Sequence, residues 1–477
     1  MRKLLLYITP LVLLSSCAKG LDDYNIDQKN PVEVPQGPLF SNALKQLTDN
    51  VTTPNVNINV FRFWMQQWTA TTYQDEPRYN FVTRNIPQGF WNPFYREALT
   101  DLKESKRIAE TDTDLAEDQK NNQIASTEIA SVYIWSTLVN TWGDIPYTQA
   151  LDIEAYNQPV YDDAATVYED LFKRLDAAIQ QIKPSAAGFG SSDLIYNGNM
   201  NSWLKFAHSL KMRMAITLAD VNATQAKDMI SSSAPLAFSS NADNAVFGYQ
   251  QATPNNNPVS GALNSLFTTR QDYVAGKPFV DVLNALNDPR RSEFFTTVGN
   301  VYKGGVIGSN NEFASNSNIS AKVIAADFEA ILLDYAEVEF ILAEASERWG
   351  ILGTAESHYD KAVKASISYW TGDNSAATAY LAQPKVAYST ATGNWKEKIA
   401  TQKWIALYNR GVESWTEWRR LDFPKLTPAN GAVAPGTIPN RLTYPTSEYT
   451  LNEGNVNSAV AKLGADNVTN KIFWDVN

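Results

Sequence analysis

The chain has 477 residues, 44% hydrophobic and 19% charged, which is enough apolar material for a sizeable core and too little charge for a disordered polymer. A formal charge of −11 repels phosphate backbones and excludes nucleic acid as a partner. With two histidines, His208 and His358, and one cysteine, Cys17, neither an internal disulfide nor a Cys/His zinc site can be assembled.

In chain order, Arg2 and Lys3 precede an apolar run from Leu4 to Leu14, and the small residues Ser15 and Ser16 lead to Cys17. Residues 1–16 therefore read as an export signal, too short to span a bilayer, which takes ~20 apolar residues. Residues 17–35 are polar and suit a tether. From Thr71 to Pro93, Pro77, Pro87, Gly89 and Pro93 alternate with Tyr73, Tyr79, Phe81, Phe90 and Trp91, which predicts a loop carrying rings. Asp112, Asp114 and Asp118 imitate part of a calcium loop, but Glu117 stands where the turn demands glycine, so a solvated cap is expected.

The spacing of Ala125, Ile129, Val132 and Val139, with Trp135, Leu138 and Trp142 beside them, predicts a helix over 121–142 that is apolar around much of its circumference. Val167, Leu171, Leu175, Ala178 and Ile182 predict a second, ended by Pro184, and Trp203, Ala207, Leu210 and Met214 a third. Residues 239–320, rich in Asn, Gly, Ser and Pro, read as a long irregular insertion of the kind that usually carries function. Tyr335 to Trp349 predicts a helix stopped by Gly350, and Thr354 caps a partner whose inner face is Ala355, Tyr359 and Ala362. Further helices are expected over 395–409 and 412–420, and strand signals are thin. The hairpin at 335–366 resembles a tetratricopeptide unit of ~34 residues.

Chemistry is conspicuous by what fails. Gly276 and Lys277 come nearest to a phosphate loop, but Gln271 replaces its first glycine and Pro278 its hydroxyl. No serine has the flanking glycines of a nucleophile elbow, and Ser209 and Tyr359 follow the histidines where a zincin needs glutamate. A carboxylate pair for glycoside hydrolysis stays open among 51 acids. Neither histidine is expected to be catalytic, and no cofactor or metal is implied.

Three ordered motifs carry a resemblance. They are Trp142-Gly143-Asp144-Ile145-Pro146-Tyr147, then Gln402 to Trp415 with Trp418, Arg419, Arg420 and Pro424, and finally Ile438 to Pro445 with Glu448 and Asn452. Together they resemble the SusD/RagB family, and the run Trp64 to Trp68 with Trp91 and Tyr95 is most similar to its SusD-like branch. Leu14, Ser15, Ser16 and Cys17 likewise resemble a lipobox, which implies acylation of Cys17.

The resemblance implies a mainly α fold, a tetratricopeptide-like helical-repeat scaffold with long irregular loop insertions and little β, forming one domain over 36–477. It also implies a lipoprotein on the outer membrane of Bacteroidetes, facing outward. Such a protein binds oligosaccharides without catalysis and serves a SusC-like TonB-dependent transporter. A peptide ligand or a surface glycosidase are the alternatives. Arg419 and Arg420 are expected in an internal charge network with Glu413, Glu417 and Asp422.

Sugar rings pack their C–H faces on aromatic rings, while Asn, Asp and Arg bond the hydroxyls. The candidate ligand contacts are accordingly Tyr73, Arg78, Tyr79 and Trp91, with Asp75 as acceptor, from the first loop, and Tyr273 and Tyr302 from the insertion. Trp68 is a weaker candidate. Trp135, Trp203, Trp349 and Trp404 are expected in the core.

Overall fold

A computed structural model describes residues 34–81, 84–434 and 436–476. The expected export signal, Cys17 and all but the end of the tether lie outside the described residues. Consecutive helices pack side by side. Thr100–Thr111 lies on Glu117–Trp142, which lies on Ala164–Gln181; Met200–Thr217 packs on Ala223–Ser233, Tyr335–Trp349 on Ala355–Thr371, and Trp395–Ala406 on Gly411–Leu421. The fold is the helical, tetratricopeptide-like one expected, and the described residues contain only three two-stranded ladders.

Local chemistry explains the boundaries. Gly350 takes φ +63, where only glycine is unstrained, and stops Tyr335–Trp349. The Thr354 side chain accepts the backbone N–H of Ser357 and starts the next helix. Glu117–Trp142 buries residues on every side, as its all-round apolar pattern requires of a helix packed between others. Asp112 closes a turn by accepting from Asp114 N, and Glu117 and Asp118 occupy the first turn of that helix.

The three motifs converge. Trp142 Nε1 donates to the Thr443 carbonyl at 2.9 Å, Trp415 Nε1 to Pro439 at 2.7 Å, and Arg419 to Asn440 and Asn140 carbonyls at 2.8 Å each. Segments distant in sequence are thus one packed unit, with Arg419 lying over the Trp415 ring at 3.5 Å. Burial drops the Arg419 pKa to about 9, and the Asp475 carboxylate offsets this only in part.

Arg420 is different. It holds Glu344 through two 2.5 Å bonds and Glu417 through one of 2.6 Å. Of the partners expected for the arginine pair, Glu417 is bound to Arg420, whereas Glu413 accepts from Tyr133, and Glu344, contributed by a distant helix, is the second carboxylate on Arg420.

Two expectations need correction. Residues 86–92 form a helix that runs on through a π-helical turn at Pro93–Leu99, because Pro87 sits in the first turn, where its missing N–H costs nothing. The insertion is also not bare loop. It contributes Ala245–Phe247, paired with Ala330–Leu333, and helices such as Lys277–Ala285.

Candidate functional site

The insertion is fastened to the first loop by an antiparallel ladder in which Trp68 faces Ala275, Thr69 faces Val274 and Ala70 faces Tyr273. Gly276 makes the close approach possible, since a Cβ there would lie 2.0 Å from the Gln66 carbonyl oxygen. Beyond the ladder, Thr71 N donates to Asp272 O and Asn311 N to Thr71 O, so the chain beside Tyr73 is held from both flanks.

This junction opens into a cleft of about 460 Å³, within the range of small-ligand sites. Tyr73 projects into it with half its surface exposed, at 52%. The Arg84 guanidinium lies 5.8 Å from the Tyr73 ring centre and pairs with Glu76 without hydrogen-bond alignment. Arg270 binds Asp272 at 2.5 Å on the insertion side. Asn55 and Asn57 add amides, and Asn57 N donates to Asn55 Oδ1 at 3.0 Å.

Burial raises the Glu76 pKa, and Arg84 offsets this only in part. The hydrogen bond to Asp272 raises that of Arg270. A ring with an accessible face, flanked by guanidinium, carboxylate and amide groups, suits a ligand with apolar faces and hydroxyl edges.

Among the residues anticipated from sequence, Tyr73 and Tyr273 line this cleft together. Tyr273 is only 7% exposed, its ring against Phe63 and its hydroxyl donating to Pro54 O, so it is wall rather than platform. Tyr79 is a correction. Its ring is 4% exposed, its hydroxyl accepts from Ala429 N, and burial pushes its pKa up to about 12.

Trp91 is another. It stacks on Tyr95 at 4.5 Å and meets the edge of Trp142, leaving no free face. Trp68 is likewise core, donating to the Tyr408 hydroxyl. Arg78 donates to Gly308 O at 2.7 Å and ties the two loops together rather than lining the cleft. Asp75 accepts from Asn80 within its own turn, and Tyr302 lies under Arg291 at 5.4 Å, away from the cleft.

Sequence reasoning missed Arg84, Glu76, Arg270 and Asp272. The Arg270-x-Asp272 pair beside Tyr273 was the available signal. Trp135, Trp203 and Trp404 are in the core and Trp349 packs against it. His208 is buried, and His358 sits between Glu339 and the Leu352 carbonyl.

The profile of a family described as SusD-like, starch-binding and associating with the outer membrane, matches residues 28–445. The chain belongs to this family. No protein of curated function matches the sequence.

Solved structures agree in fold. A SusD homologue from Bacteroides uniformis is 27% identical, with TM-score 0.75, over 92% of this chain and 99% of that one. One from Bacteroides thetaiotaomicron is 24% identical, with TM-score 0.77, over 93% and 100%. A chitin-binding SusD homologue from Flavobacterium johnsoniae is 24% identical, with TM-score 0.76, over 92% and 99%. No helix among the described residues is long and apolar enough to cross a membrane.

Proposed function

We propose that this chain captures an oligosaccharide in the Tyr73 cleft and passes it to a SusC-like TonB-dependent barrel without cleaving it. The observation that carries the reading is the exposed Tyr73 ring between the Arg84–Glu76 and Arg270–Asp272 pairs. Acylated Cys17 holds the globule to the outer face of the outer membrane through the tether at 17–35. Residues 36–477 act as one domain, and the insertion at 239–320 supplies one wall of the site.

Membership in a starch-binding family supports a glycan over a peptide, and the chitin-binding relative sets the order of trial ligands. Affinity gels containing starch, glycol chitin or other soluble glycans test the reading. Retardation by at least one glycan, weakened in Tyr73→Ala, is expected. Equal retardation of both proteins removes the cleft from the account, and release of shorter sugars removes the non-catalytic role. Transporter association is tested by whether a large barrel co-purifies from detergent-solubilised outer membrane.

A further inference from the structure

A second cleft, of about 390 Å³, lies on the helical scaffold and shares no lining residue with the first. Helix Glu117–Trp142 forms its floor with Glu128, Ser131 and Trp135. Helix Thr100–Thr111 forms one wall with Lys103 and Lys106, helix Ala164–Gln181 the other with Asp170 and Arg174, and the turn at 147–151 closes one end.

Its charges are unevenly paired. Glu128 is shared by Lys106 and Arg174 at 2.7 Å each, and Asp170 accepts from the Tyr147 hydroxyl at 2.5 Å. Arg174 also donates to that hydroxyl at 2.9 Å. Lys103 is left over. Among the described residues it makes no ion pair, and its sequence neighbour Glu104 is taken by two bonds from Arg107. Its one acceptor is the Leu151 carbonyl, at 2.5 Å.

Leu151 has φ +64, a left-handed conformation that a branched residue without local compensation adopts at a cost. The lip of the cleft is thus strained, and Lys103 grips the carbonyl at the strained residue. Among the lining residues three cations face two carboxylates, and Glu110, just outside the lining, pairs with Lys106 at 3.7 Å, so Lys103 is the cation left without a carboxylate among the described residues.

We propose that this cleft is a second ligand site, for the carboxylate of an acidic saccharide such as a uronate. Lys103 meets the carboxylate. The half-buried Tyr147 wall, Thr148 and the Asp170 carboxylate meet the ring and its hydroxyls. A peptide carboxylate would share the charge chemistry, but capture of a peptide by strand addition needs an unpaired strand edge. The walls here are helices, whose backbone groups are bonded internally.

The test is calorimetric titration of the full-length, detergent-solubilised protein with trigalacturonate, with maltotriose as the neutral probe and tetra-alanine as the peptide probe. Trigalacturonate should bind, and added salt should weaken it. Lys103→Met should cost on the order of fivefold, the scale of one partly exposed ion pair, and Lys103→Arg should restore most of the affinity.

Tyr73→Ala should leave that binding unchanged, which separates this site from the first cleft. The proposal is overturned if trigalacturonate does not bind, if maltotriose or tetra-alanine binds as tightly to the Tyr73→Ala protein, if Lys103→Met is indifferent, or if Tyr73→Ala abolishes the signal.

Discussion

The ion pairs of the helical scaffold and those of the Tyr73 cleft use the same residue types at similar distances, yet they do opposite things. Arg420 and Glu344 are each 1% exposed and closed on both sides by Glu417, Lys403 and Arg348. Arg270 is 63% exposed beside Asp272 at 24%, and Arg84 is 31% exposed, although its carboxylate partner Glu76 is buried. Buried pairs have no water to fall back on, so their opposite charges are committed to one another and to the fold. Half-exposed pairs can exchange a protein partner or a water for a ligand hydroxyl at little cost.

The largest way to break this contrast is Glu344→Gln. It removes one of the two carboxylates that hold the buried Arg420 and should cost about 3–5 kcal/mol, seen as a large drop in the urea midpoint. The matching change in the cleft, Asp272→Asn, should move stability by less than about 1 kcal/mol. If the two changes cost the same, burial is not what separates the regions.

A second test compares two tyrosines six residues apart. Tyr79→Ala removes a buried ring and should cost about 3 kcal/mol in stability. Tyr73→Ala should leave stability within about 0.5 kcal/mol and instead weaken glycan retention about tenfold, the scale of one lost stacking platform.

Acid sharpens the contrast further. Burial alone would raise the Glu337 and Glu344 pKa values, but Arg213 and Arg410 for the first and Arg420 for the second outweigh it and depress both to about 2, from 4.5. Depressed carboxylates stabilise above the unfolded value. That contribution should be intact above about pH 5 and lost as pH falls through 4.5 toward 2, which circular dichroism against pH would follow.

The smallest effect belongs to His358. Burial lowers its pKa, but the hydrogen bonds to Glu339 and the Leu352 carbonyl outweigh that and raise it above 6.5. A raised histidine stabilises below its unfolded value. A slight decline in Tm is therefore expected as pH rises from 6.5, and it should vanish in His358→Gln.

Much of the scaffold was legible because its signals are local. The period from Val167 to Ile182, the cap at Thr354 and the stop at Gly350 each act within a few residues. The site was legible only in part. The first loop and the insertion were each singled out as sources of ligand contacts, but nothing in the sequence said that a ladder joins them, and of the selected rings only Tyr73 is more than half exposed. Tyr79, Trp91 and Trp68 have the composition of platforms and the surroundings of core, a difference made by Ala429, Tyr95 and Tyr408, which lie far away or around a turn. Arg84 and Arg270 went unnoticed because each gains meaning only beside the other's loop.

Sequence by itself determined the most strongly periodic helices, several of their stops and the family, since periodicity, capping and ordered motifs are properties of neighbours along the chain. Only the tertiary structure decided which charges are sealed and which are open, because exposure depends on the ladder that joins residues 68–70 to 273–275 and on a helix that brings Glu344 to Arg420. An aromatic ring or an ion pair carries no mark of its own burial. The solvent left around it assigns it to the fold or to a ligand.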